Sequence, residues 1–365
     1  MNHRQAPPID AEQAERPLRI AIGSIVEGES KDRGGILLSS FDPASATFGE
    51  VTLGARYGNS ATFLCLHPTL PLLYSVGRSD QFPDGSVAVF AINARSLDLR
   101  SEASSGGSTP CHLAIDEFGA TLAVANYDDG TTYTLALDER GLPISTFSTR
   151  TIGGGPSPNR QEGSHPHGVY FRGKTLHVPD LELDRIQCWT IQDARPEWET
   201  LSVWQSVPGA GPRHMAFSPD GRHAYVANEL DSTVSALTIN AGSGCFETIN
   251  HVSTLPEGEV VNNTTAEIAI HPNGRFVYVS NRGHDSIAVF ARDAGSGELK
   301  RILVAPAGGK NPRHFVISPD ANWILCAHQD SDTIVALPLD GKSGMIGNAV
   351  AAISCPKPIC VIFLE

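Results

Sequence analysis

Arginine, glutamate and histidine recur in this chain at matching offsets from a repeated apolar run. Arg213-His214 and Arg313-His314 each follow a proline and open the same pattern, PRHMAFSPDG and PRHFVISPDA, while Thr62-Phe63, Cys111-His112, His167 and Glu267 open its other copies. A second column closes the run that follows: Arg78, Tyr127, Leu181, Glu229, Arg282 and Gln329, with Asn228 just before Glu229. A guanidinium suits bidentate recognition of a carboxylate or phosphate. A carboxylate or imidazole beside it supplies general acid–base chemistry. If the fold gathers both columns at one place, the chemistry available there is the binding and turnover of a small anion.

The elements that must position these residues are short and repeat. ATFLCLHPTLPLLYSVGR (61–78), PCHLAIDEFGATLAVANY (110–127), PRHMAFSPDGRHAYVANE (212–229), AEIAIHPNGRFVYVSNR (266–282) and PRHFVISPDANWILCAHQ (312–329) align, and PHGVYFRGKTLHVPDL (166–181) is a divergent sixth copy. Each reads as strand, tight turn, strand, with alternating Val, Ile, Leu, Phe and Tyr, followed by a third apolar run such as DSIAVFAR (285–292) and a weaker fourth. A period of about 50 residues is that of a four-stranded propeller blade. The chain ends supply a seventh unit: PICVIFL (358–364) as first strand, then RIAIGSI (19–25), GGILLSSFD (34–42) and FGEVTLG (48–54). Pairing the two termini in one blade closes the ring. The expected fold is an all-β, seven-bladed propeller of four-stranded antiparallel blades, a single domain over 18–365 with a flexible segment over 1–17. Because successive strands are antiparallel, the start of strand one and the end of strand two share one mouth of the central channel. The SPDG, HPNG and SPDA turns then belong to the opposite face, where their Asp and Asn are turn chemistry.

Composition narrows the rest. Of 365 residues, 27 are Lys or Arg and 40 Asp or Glu, a formal charge of −13 that repels a phosphate backbone and excludes a nucleic-acid partner without a basic patch. The 35 Gly and 25 Pro carry no collagen period and fit many tight turns. Seven cysteines without a CxxC pattern read as reduced thiols, and no apolar run reaches membrane-spanning length, so a cytoplasmic protein with no membrane partner is expected, as a monomer or weak homodimer. No cofactor or metal is expected. His165-Pro-His167 has a spacing compatible with zinc, but no further ligand cluster follows it. GGGPSP (153–158) lacks the Lys-Ser/Thr of a P-loop, there is no G-x-S-x-G elbow, and Cys111 reads as a buried thiol.

The blocks GAGPRHMAFSPDGRHAYVANELDSTVSAL (209–237), AEIAIHPNGRFVYVSNRGHDSIAVF (266–290), SHPHGVYFRGKTLHVPDLELDRI (164–186) and PRHFVISP (312–319) resemble the lactonase family of seven-bladed propellers, over residues 18 to 365. That family includes propeller-type 6-phosphogluconolactonase and 3-carboxy-cis,cis-muconate lactonizing enzyme. The resemblance implies a metal-independent site of one histidine, two arginines and a glutamate: His165 or His167, Arg213, Glu229 and Arg282. His214, Asn228, Glu267, Arg313, His314 and Gln329 are expected to contact substrate. The family holds both a hydrolase and a cyclase, and the leading reading is hydrolysis of a sugar-derived lactone, 6-phospho-D-glucono-1,5-lactone first, with Glu229 the base, Arg213 or Arg282 the oxyanion and substrate-anion clamp, and His165 or His167 the proton donor. Lactonization of a carboxymuconate-type acid and a non-enzymatic binding scaffold are the alternatives.

Overall fold

The computed structural model describes residues 16–25, 35–58, 60–150, 163–240, 242 and 244–364. The segment 153–158 and all but the last two residues of 1–17 lie outside the described residues. Among the described residues the chain is all strand and turn, arranged as seven antiparallel sheets. Six sheets follow chain order, with first strands Ser60–Leu66, Pro110–Ile115, Tyr170–Arg172, Pro212–Phe217, Thr264–Ile270 and Pro312–Ile317. The seventh joins the two ends of the chain: Pro358–Phe363 pairs with Leu18–Ser24, which pairs with Gly35–Asp42. Its outer strand is broken into Thr47–Phe48 and Thr52–Ala55, both on Gly35–Asp42. First strands of consecutive blades touch all the way round, except that blade four reaches its neighbour through Thr175–Asp180. The result is the closed seven-bladed propeller expected from the repeats. We number the blade holding both termini one, and the rest two to seven along the chain. No helix among the described residues is long and apolar enough to cross a membrane.

The repeat is legible because each copy does the same packing work. Tyr74, Tyr225 and Tyr278 occupy one position of the second strand and are fully buried between blades. Each hydroxyl donates to a carbonyl of the following blade, at Gly141, Gly297 and Gly344, over 2.5, 3.0 and 3.2 Å. A buried aromatic with its polar end satisfied is worth about 1.5–3 kcal/mol of burial without an unmet hydroxyl. On the far face, Ser218 and Ser318 accept the amides of His223 and Trp323, and the imidazoles of His67 and His271 accept the turn amides of Leu70 and Asn273. Gly119, Gly221 and Gly274 close these turns at φ 71°, whereas blade seven puts Ala321 there at φ 58°, a left-handed conformation that glycine adopts without steric cost.

Candidate active site

A recurring β-bulge aims the side chains at the mouth. In blade five Pro212 pairs with Asn228 and His214 with Ala227, so Arg213 has no residue opposite it. The same surplus residue is Thr62 in blade two, Cys111 in blade three, Arg313 in blade seven and Ile359 in blade one. In blade six Ala266 and Glu267 together face Ser280, and in blade four the surplus falls within 167–169. A bulge breaks strict alternation and re-aims a side chain. Consequently Arg213 and His214, adjacent in sequence, both turn toward the axis. The bulge ring is lopsided in chemistry: His167, Arg213 and Arg313 lie on blades four, five and seven, while Ile359, Thr62 and Cys111 line blades one to three. The small Ala266 separates the two arginines.

The arginines meet one carboxylate. Arg213 Nε and Arg282 Nη2 each lie 2.9 Å from Glu229 Oε2. Arg213 Nη1 donates to the Ala266 carbonyl at 2.8 Å and Arg282 Nη2 to the Thr265 carbonyl at 3.0 Å, fixing both guanidiniums on blade six. Arg213 is only 2% exposed and Glu229 8%. Arg313 joins them electrostatically: burial, then the charges of Arg213 and Arg282, press its guanidinium down to about 9. It remains cationic at neutral pH. Three guanidiniums against one carboxylate leave this mouth positive in a protein of formal charge −13.

Beside them, on blade four, stands a histidine pair. Asp180 accepts the Ser164 hydroxyl at 2.5 Å and the backbone amides of His165 and Leu183, so it fixes the SHPH loop. Its burial raises its carboxyl above the usual range. His165 Nε2 lies 3.4 Å from Glu182 Oε2, which also accepts the Gly163 amide. The Tyr127 ring packs on both imidazoles, at 4.4 Å from His165 and 5.5 Å from His167. Burial, then Arg213 and Arg313, push His167 well below the ordinary imidazole range. It is neutral at pH 7. Cys111 sits beneath, its thiol pushed up to about 12 by burial, and so is no nucleophile at neutral pH. A cleft of about 310 Å³ opens outward from Arg282 between blades six and seven, lined by Asn262, Asp285, Lys310 and Asp330 among others.

The family model described as "Lactonase, 7-bladed beta-propeller" matches residues 19–363. A 6-phosphogluconolactonase of Bacillus subtilis is 32% identical over 348 residues, covering 94% of this chain and 97% of that protein. The chain belongs to the lactonase family. Another relative, a 6-phosphogluconolactonase of Formosa agariphila, is 34% identical over 79% of this chain and 83% of its own. Among solved structures, a protein from Lactobacillus plantarum superposes with a TM-score of 0.87 at 30% identity, covering 96% of this chain and all of that one. A periplasmic gluconolactonase of Pseudomonas aeruginosa gives 0.85 at 25% identity, over 96% and 99%.

Not every residue expected to contact substrate in this lactonase family member reaches open space. His214, Glu267 and His314 are 1–2% exposed and form a floor below the bulge ring, with His112 and Phe63. His214 Nδ1 lies 3.0 Å from Glu267 Oε2 and His314 Nε2 3.4 Å from the same oxygen. The Phe63 ring stacks 4.1 Å from His112, and His214 packs 5.2 Å from His167. Burial pushes the Glu267 carboxyl up to about 8 and His214 well below the imidazole range, so carboxyl and imidazole meet as neutral groups. The Val361 amide donates to His314 Nδ1, leaving Nε2–H to point at Glu267. Asn228 is fully buried and gives its amide to Thr233 and Ser235, each at 2.8 Å. Asn281 likewise donates to the third-strand hydroxyl of Ser286, and Asn126 to the Ser105 carbonyl in the link that enters its blade, so this position is a structural tie. Gln329 stays half-buried at the mouth beside Asn311, in the place Glu229 holds in blade five. Glu182 has no signal in the sequence beyond its place in LELD, and only the folded loop shows its contact with His165. Among the described residues no group of three or more His, Cys, Asp or Glu is placed to hold a metal ion.

Proposed function

We propose that this protein hydrolyses a sugar-derived lactone, 6-phospho-D-glucono-1,5-lactone, to the open acid. Supporting it are its family, relatives named 6-phosphogluconolactonase over nearly the whole chain, and a mouth where two guanidiniums share one carboxylate beside a histidine–carboxylate couple. A general base must accept charge in the transition state. His167, crowded by arginines, resists that; His165 has a carboxylate beside it, its Nε2 lying 3.4 Å from Glu182 Oε2. His165 is therefore the proton shuttle and Glu182 its positioning residue. His165 takes a proton from water as the water oxygen bonds to the lactone carbonyl carbon. The oxyanion formed faces Arg213 and Arg282. The carbon–ring-oxygen bond then breaks and the imidazolium returns the proton to the departing alkoxide. Glu229, already shared by two guanidiniums, sets their spacing rather than acting as base. Proton transfer contributes roughly 10²–10⁴-fold and an oxyanion donor about 10²–10³-fold.

The test offers purified protein the phosphorylated and unphosphorylated 1,5-lactones, corrected for spontaneous opening, and separately a carboxymuconate. Opening of the lactones above background is expected. Turnover of the carboxymuconate alone would replace hydrolysis by lactonization, and turnover of none would leave a binding protein.

A further inference from the structure

Arg213 and Arg282 are both committed: each is paired to Glu229 and tied to a blade-six carbonyl. Arg313 is differently placed. It occupies the same bulge position in blade seven, faces the same mouth, and among the described residues has neither a carboxylate nor a hydrogen-bond acceptor on its guanidinium. The carboxylate nearest to it electrostatically, Glu229, is outweighed by Arg213 and Arg282. A half-buried guanidinium amid other cations is unfavourable until an external anion completes it. The nearby cleft offers a rival cation in the exposed Lys310, but Asp285 and Asp330 line the same space and offset it. Asp285 already accepts the amides of Gly283 and Asn311, and Asp330 the side chain of Asn311.

We propose that Arg313 is the specificity residue that binds the phosphate monoester of the substrate, while Arg213 and Arg282 attend the lactone carbonyl. This rests on the lactonase function above and assigns its ligand's two polar ends. The reacting carbon then lies at the blade-four to blade-six side, near His165. The phosphate reaches the blade-seven side. Arginine suits this duty because its planar fork matches two phosphate oxygens at once, which a lysine ammonium does not.

The experiment measures kcat/KM for phosphorylated and unphosphorylated gluconolactone in wild type, Arg313→Met, Arg313→Lys and Lys310→Ala, with inorganic phosphate binding followed by calorimetry. Arg313→Met is expected to lower the phosphorylated-to-unphosphorylated ratio roughly 10- to 100-fold, chiefly through KM, the span of a lost charge-assisted hydrogen-bond pair. Arg313→Lys should recover part of the ratio, and Lys310→Ala should leave it within about threefold, since exposed charge pairs count for little. Phosphate binding should be lost in Arg313→Met. An equal loss on both lactones, an unchanged ratio, or a ratio that collapses in Lys310→Ala instead, would overturn the assignment. If wild type opens neither lactone, the lactonase function fails on its own, and the calorimetry still decides whether Arg313 is an anion clamp.

Discussion

Replacing Glu229 by Gln removes the carboxylate that spaces Arg213 and Arg282, while keeping shape and one acceptor oxygen. Both contacts are 2.9 Å to the same oxygen, and Arg213 is 2% exposed, so the guanidiniums lose a partner that water cannot replace. Removing one member of a buried ion pair costs about 3–5 kcal/mol; the amide oxygen retains part of this, so about 2–3 kcal/mol of stability should go. At roughly 2 °C per kcal/mol for a chain of this size, Tm should fall by about 4–6 °C. The catalytic consequence separates two roles. If Glu229 only sets the oxyanion clamp, kcat for lactone opening falls about 10²–10³-fold, KM for the anionic substrate does not rise, because the mouth is now more positive, and the pH–rate profile keeps its shape. Initial rates over a pH series, with spontaneous opening subtracted, read all three. Wild-type kcat would refute the clamp, and loss of the profile's acid limb would return Glu229 to the role of base.

Other substitutions test other parts. His165→Asn should reduce kcat roughly 10²–10⁴-fold, while Glu182→Gln should cost less and act on kcat rather than KM; steady-state kinetics checks both. Glu267 keeps its proton up to about pH 8 in the folded protein against 4.5 ordinarily, so its contribution to stability is full below about pH 4.5 and is lost as pH rises toward about 8. Glu267→Gln, neutral throughout, should therefore gain Tm relative to wild type between pH 5 and 8.5, and a constant difference across that range would contradict the protonated floor. Ala321→Gly should raise stability by about 0.5–1 kcal/mol in denaturant unfolding, since the three sibling turns use glycine at this φ.

The ring was legible in the sequence because burial between blades is repeated: Tyr74, Tyr225, Tyr278 and their turns recur at multiples of about 50 residues, the period of a four-stranded blade. Pairing of the chain ends followed from the surplus strand at the C-terminus, and Pro358–Phe363 does lie on Leu18–Ser24. Depth at the mouth was not legible. Strict alternation puts Arg213 and His214 on opposite faces, and nothing in PRH announces the bulge that turns both inward. Nor does it say that the first rises to the mouth while the second sinks to the floor with Glu267 and His314. Asn228, expected at the substrate, lies buried with its amide on Thr233 and Ser235, as Asn281 has its amide on Ser286. Glu182 was missed because its contact with His165 depends on how Asp180 folds a loop between them.

Delivery of water to the lactone carbonyl at this cationic mouth is the step on which the proposed activity depends. Opening of 6-phosphogluconolactone in ¹⁸O-labelled water, followed by mass spectrometry of the product, tests it most directly. Wild type should accelerate opening well above buffer and place one ¹⁸O in the carboxylate, with His165→Asn near the background rate. No acceleration, or label in the ring-derived hydroxyl, would contradict it.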